Sequence, residues 1–142
     1  MKKKDFVKLH RELWDRIAVF FDSGGGELKE GISTLKEQII NDMRKEHLLN
    51  CLTRKEIDES VNYGCFACAY TTESNSGLAD CTLCPLDWGI DYTTYFMCET
   101  EPSPYEEIFD NLAYSASHDW RYLAELARQV RDLPLKEGVQ DD

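Results

Sequence analysis

Between Glu56 and Trp120 the chain contains no lysine and no arginine. Thirteen acidic residues fall in that stretch, while all sixteen basic residues lie outside it, twelve from Lys2 to Lys55 and four from Arg121 to Lys136. Nucleic-acid binding rests first on cations that neutralise phosphate, so the central stretch has nothing to offer a phosphate backbone. No apolar run approaches the roughly 20 residues that a membrane-spanning helix needs. The start from Met1 to Lys4 leads into a charged, amphipathic segment without the apolar core of a secretory signal. The expectation is a cytoplasmic protein, kept reduced, whose six cysteines serve something other than disulfides.

What the acidic stretch does contain is paired thiols. Cys65 and Cys68 form one Cys-x2-Cys hook and Cys81 and Cys84 a second, with twelve residues between them. Zinc takes four thiolates tetrahedrally at about 2.3 Å, and a two-residue gap lets one turn present two sulfurs to one ion. The connecting Ala69 to Asp80 is rich in Thr, Ser, Asn and Gly, which suits a loop that brings the hooks together. The predicted ligand set is Cys65, Cys68, Cys81 and Cys84 around one structural zinc; iron has the same ligand count and is the less favoured metal. A lone Cys-x2-Cys can be a redox pair, but two matched hooks without a strand-helix-strand pattern point to ligands. Cys98 follows an aromatic run closely enough to fold back on the site, either to substitute for one hook cysteine or to sit buried beside the metal. Cys51, within Leu48 to Leu52, reads as a small hydrophobe packed in a helix. His10, His47 and His118 fall in helical sequence far from the hooks and read as surface or boundary residues.

The rest of the chain reads as a helical frame. Phe6, Leu9, Leu13, Ile17 and Phe20, widened by Trp14, Ala18 and Phe21, mark one face of a helix from Lys3 to Phe21, which Asp22 to Gly26 ends. The glycines lack the Gly-Lys-Ser/Thr and the preceding strand of a phosphate loop. A long second helix is predicted from about Glu27 to Leu52 through Leu28, Ile32, Leu35, Ile39, Ile40 and Met43, with Gly31 a point for a kink or a late start. Thr53 and Glu56 have capping-box spacing for a short helix through Val61, stopped by Gly64. Ser103, Pro104 and Glu106 open another helix carrying Ile108, Phe109, Leu112 and Ala113. The last is expected from Ser117 through Trp120, Leu123, Ala124, Ala127 and Val130 to Leu133, before Pro134. The fold expected is mainly α and a single domain over 1–142. A helical bundle at 3–62 and 103–133 would carry a loop-rich zinc-knuckle insert at 63–102, with a short β-hairpin near Thr93 to Met97 as an option. A polar tail, expected to be frayed and flexible, follows at 136–142.

Eight aromatics lie between Tyr63 and Tyr105. Trp88 and Phe66 are expected to pack around the metal, because four thiolates alone cannot bury such a segment. Tyr92 and Tyr95, with the acidic Glu99 and Glu101, are the candidate partner contacts, since tyrosine is enriched where proteins meet. Without neighbouring cations, base stacking explains them poorly. Catalysis has no recognisable seat: no His-x-Glu precedes a Pro-Cys-x2-Cys as in zinc deaminases, and a closed four-cysteine site leaves no position for a reacting water.

Taken together, His10 to Trp14, Cys65-Phe66-Ala67-Cys68, Cys81 to Cys84 followed by Pro85-Leu86-Asp87-Trp88, the later Cys98 and Arg131 to Pro134 resemble small proteins encoded by phages and prophages of Gram-positive bacteria. The resemblance touches both ends and the centre, and Gly24 to Glu59 carries none of it. It implies a phage accessory protein with a metal knuckle on a helical frame, and no activity. Two functions of different class follow. One is a zinc-stapled, acidic interaction module for a host protein, such as a nuclease or defence factor whose basic nucleic-acid groove an acidic surface can occupy; its bland form is a metal-stabilised protein whose acidity serves solubility. The other is a nucleic-acid-binding zinc protein that uses Lys2, Lys3, Lys4, Lys8 and Arg11 of the first helix.

Overall fold

The computed structural model describes residues 1–25, 31–74, 84–88, 103–114 and 117–136, and these residues are mainly helical. Helix α1, Lys3–Asp22, follows the apolar stripe seen in the sequence and buries Phe6, Leu9, Leu13, Trp14, Ile17, Ala18 and Phe21. It is the central element, packing against α2 (Ile32–Lys45), α4 (Phe66–Ser74) and α6 (Trp120–Arg131). The α1 and α6 helices lie closely together because α6 presents the small Ala124 and Ala127, both fully buried, beside Leu123 and Val130. Surface ion pairs run along the same seam, from Arg131 to Asp15 at 2.8 Å and from Arg128 to Asp22. Among the described residues no helix is long and apolar enough to cross a membrane.

His10 departs from the surface role expected of it. It is buried on α1, and its Nε2 lies 2.9 Å from the Val130 carbonyl of α6. A carbonyl only accepts, so Nε2 carries the proton and donates. Burial lowers the imidazole pKa to about 4, with the nearby Arg11 charge acting in the same direction and the Val130 and Asp132 contacts opposing it. Pairing a buried donor with a carbonyl in the last turn of α6, one that Leu133 N–H also reaches at 3.3 Å, latches the two helices together.

The second helix is shorter at both ends than predicted. Gly31 is its N-cap and Ile32 its first residue, the late start that glycine allows. It stops at Lys45, because His47 takes a left-handed conformation at φ 64° and Leu48 N–H turns back to the Met43 carbonyl at 3.0 Å. That is a Schellman-type stop with histidine in the position usually held by glycine. The turn buries Leu49 and Leu52 and leaves Cys51 exposed, so the core role predicted for this cysteine is incorrect.

Helix α3, Arg54–Tyr63, begins at the predicted capping box: Thr53 accepts from Glu56 N–H, and Glu56 accepts from Thr53 N–H. Helix α5, Pro104–Tyr114, begins at Ser103, whose Oγ accepts from Glu106 N–H at 3.0 Å. Phe109 is 40% exposed on it, not turned inward as expected. Helix α6 starts three residues after Ser117, capped by Asp119 on Tyr122 N–H. The unforeseen element is α4: the start of the expected loop-rich insert is helical, and Phe66, Ala67 and Ala69 enter the core while Tyr70 packs 5.2 Å from the Phe6 ring. The hairpin considered near Thr93 to Met97 lies outside the described residues.

Candidate metal centre

Gly64 closes α3 at φ 60°, a conformation that strains any residue with a Cβ. Its N–H turns back to Val61, and Cys65 N–H reaches the Ser60 carbonyl at 3.1 Å. This tight stop places Cys65 at the head of α4, where backbone N–H groups have no helical partner. The Cys65 sulfur collects the N–H groups of Ala67 and Cys68 and the Cys68 thiol, and the ammonium of Lys36 adds its charge. These contacts outweigh burial and bring the Cys65 thiol down to about 6. The helix start thus favours a thiolate here, as it favours other anions.

The second hook arrives by a separate route. Leu86 forms an isolated antiparallel bridge with Leu135. Asp87 N–H donates to the Pro134 carbonyl at 2.8 Å, and Lys136 N–H to the Pro85 carbonyl at 2.9 Å. The backbone at Lys136 is therefore tied down, although the sequence placed it at the start of a frayed tail. Anchored this way, Cys84 comes within range of the Cys65 charge. Burial and that charge push the Cys84 thiol up to about 11, while Leu86 N–H, the Trp88 indole N–H and Lys136 favour its thiolate. Trp88 is buried, as expected, and its Nε1 lacks a partner of good hydrogen-bond geometry; the sulfur of Cys84 is the group it biases. The charge of a Cys65 thiolate thus disfavours a second thiolate at Cys84, a penalty that a cation between the two sulfurs would remove.

Of the four predicted ligands, Cys68 lies beside Cys65, and Cys84 lies within reach of the Cys65 charge, each half-buried. Among the described residues no group of three or more His, Cys, Asp or Glu side chains is drawn in tightly enough to hold an ion. Cys81 and the alternative ligand Cys98 lie outside the described residues, as do the predicted partner contacts Tyr92, Tyr95, Glu99 and Glu101. Soft sulfurs with N–H groups and a buried tryptophan beside them are the donor type that zinc takes.

Two surfaces elsewhere on the frame are candidates for binding. Lys3, Lys4, Val7, Lys8, Arg11, Glu12, Asp15 and Arg131 line a groove of about 750 Å³ along α1. On α5 and α6, Phe109, Tyr114 and Tyr122 are exposed, Tyr114 by 81%, and the Tyr122 hydroxyl donates to Glu107. The helical wheel puts Tyr114, Glu107 and Asp110 on one outward side of α5, away from Tyr105 and Ile108. Sequence reasoning missed this face because Phe109 fitted an apolar stripe.

No protein-family model matches the chain, and comparison with characterised proteins and with solved structures gives no match.

Proposed function

We propose that the chain is a zinc-stapled interaction protein without catalytic activity. In this reading one structural zinc, held by Cys65, Cys68, Cys81 and Cys84, locks the central stretch onto the helical frame. The acidic, aromatic surface then docks on a basic surface of a host protein, the nucleic-acid groove of a nuclease or defence factor being the class of target that fits. The setting is the bacterial cytoplasm and the gene a phage accessory gene, in line with the resemblance carried by the two hooks and Pro85 to Trp88. The observation that carries the reading is that Cys84, from a segment anchored on Leu135, lies within reach of the charge of Cys65, which sits beside Cys68 at the head of α4. The exposed Tyr114 of α5, a helix without lysine or arginine, and Tyr122 of α6, whose hydroxyl donates to Glu107, support the docking half.

The test is capture of partners from host extract by wild-type protein, by Glu107→Lys/Tyr114→Ala protein and by chelator-stripped protein. A basic partner retained by wild type, eluted by salt and absent with both altered forms is the expected result. Capture that neither alteration changes would remove the reading. A second reading is favoured by the α1 groove, in which Lys4, Lys8 and Arg11 make no ion pair among the described residues. If it binds duplex phosphate, affinity falls steeply with salt, and neutralising Lys4, Lys8 and Arg11 flattens that slope by about 0.9 for each phosphate left without its cation.

A further inference from the structure

Basic side chains near the start of a helix oppose its dipole and weaken it. Helix α1 nonetheless opens with Lys3 and Lys4, has Asp5 as the acid of its first turn, and takes no side-chain cap from Lys2. No carboxylate among the described residues pairs with Lys4, Lys8 or Arg11 to offset this, and all three are exposed. With Asp15 they recur at i, i+4, i+7 and i+11, one stripe about 16 Å long. The groove they line, about 750 Å³, is of the size that small molecules occupy. Its other end is built differently. Asp15 takes Arg131 on one oxygen at 2.8 Å, and Glu12 takes Arg16 on one oxygen at 2.8 Å. Arg16 is in turn held by Glu46 through bonds of 2.6 and 3.1 Å. Each arginine fixes its carboxylate, and the second oxygen of each has no partner among the described residues. A duplex would meet these carboxylates as repulsion. A ligand with phosphates at one end and hydroxyls at the other meets both ends favourably, because a carboxylate accepts from a ribose hydroxyl.

We propose that the α1 groove binds a nucleoside diphosphate or triphosphate. The phosphates lie on Lys4, Lys8 and Arg11, and the ribose hydroxyls donate to Asp15 and Glu12. Binding here does not require the metal centre, and a single nucleotide rather than a duplex is the occupant of the groove. The cations supply attraction to any phosphate; the two held carboxylates supply the choice of a ligand that carries hydroxyls.

The experiment uses the full chain without magnesium and measures binding of ATP, tripolyphosphate and a short DNA duplex by calorimetry, with helical circular dichroism as the check on folding. Ribose and phosphates are common to all these nucleotides, so ATP serves as the probe. ATP should bind one per chain and about 10-fold or more tighter than tripolyphosphate, which has the charge but no hydroxyls. Lys4→Ala/Lys8→Ala should weaken both ligands alike, by about 10-fold or more. Asp15→Ala should weaken ATP several-fold and leave tripolyphosphate unchanged or tighter, a split that separates recognition of the ribose from attraction to charge. Lys4, Lys8 and Asp15 are exposed, so these variants keep the fold. Equal affinity for ATP and tripolyphosphate, or wild-type ATP affinity in Asp15→Ala, overturns the proposal. Duplex binding without ATP binding overturns it and leaves the nucleic-acid reading standing, whereas binding of neither removes both.

Discussion

Acid should loosen the α1–α6 seam through one residue. His10 is buried as the neutral imidazole with its pKa lowered to about 4, against an ordinary value of 6.5. A histidine whose folded pKa is depressed lends its full stability above the unfolded value. Between pH 6.5 and about 4 the unfolded chain binds a proton that the folded chain refuses, so stability falls as pH falls through that window. At about 1.4 kcal/mol per pH unit, the loss nears 3 kcal/mol by pH 4. His10→Gln separates this from every other acid-sensitive group, because its amide nitrogen can still donate to the Val130 carbonyl but does not titrate in this range. The variant should be about 1 kcal/mol less stable at pH 7, where it loses ring packing against Phe6. Near pH 5.5 wild type should have lost about as much, and the two stabilities should cross. Urea unfolding at half-unit pH steps measures both curves, and release of metal by acid contributes equally to each. Curves that stay parallel from pH 7 to 4 would refute the assignment of a buried, neutral His10.

Further expectations concern the backbone and the caps. Gly25 takes φ 70° with the Trp120 ring where a Cβ would go, whereas Gly24 at φ 90° faces open space. Gly25→Ala should therefore cost more than about 2 kcal/mol and Gly24→Ala about 1, compared by thermal unfolding; equal costs would mean that the ring moves aside freely. Thr53→Ala removes the oxygen that caps α3 and should lose about 1 kcal/mol, with Thr53→Ser restoring most of it. Asp15→Asn leaves Arg131 paired with Asp132 on the exposed seam and should change stability by well under 1 kcal/mol; a larger loss would assign that seam more than surface weight.

The elements with strong local signals were legible. Capping by Thr53 and Glu56, the Ser103–Pro104 start and the apolar stripe of α1 are local patterns, and each forms where the spacing put it. Misreadings came where a tertiary contact overrode local preference. His47 stops α2 in a conformation that glycine usually takes, so nothing in 27–52 marked the end. His10 looked like one more polar residue on an amphipathic helix, and only the Val130 carbonyl 120 residues later gives it a partner. In α4 the run of Thr, Glu and Ser suggested a loop, whereas Phe66, Ala67 and Ala69 fold it onto α1. Around the first hook and the Leu86 segment, the burial of Phe66 and Trp88 could be read from residue type. The bond from Lys36 to Tyr105, and the tie between Leu86 and Leu135, depend on residues far apart in the chain and had no local mark.

The central claim is that the two cysteine hooks close on one metal ion. Elemental analysis of purified wild type, Cys65→Ser, Cys84→Ser and Cys51→Ser tests it most directly. One zinc per chain in wild type and in Cys51→Ser, with metal absent or weakly held in Cys65→Ser and Cys84→Ser, is the predicted result. Absence of metal from wild type, or equal metal loss in all three variants, would contradict it.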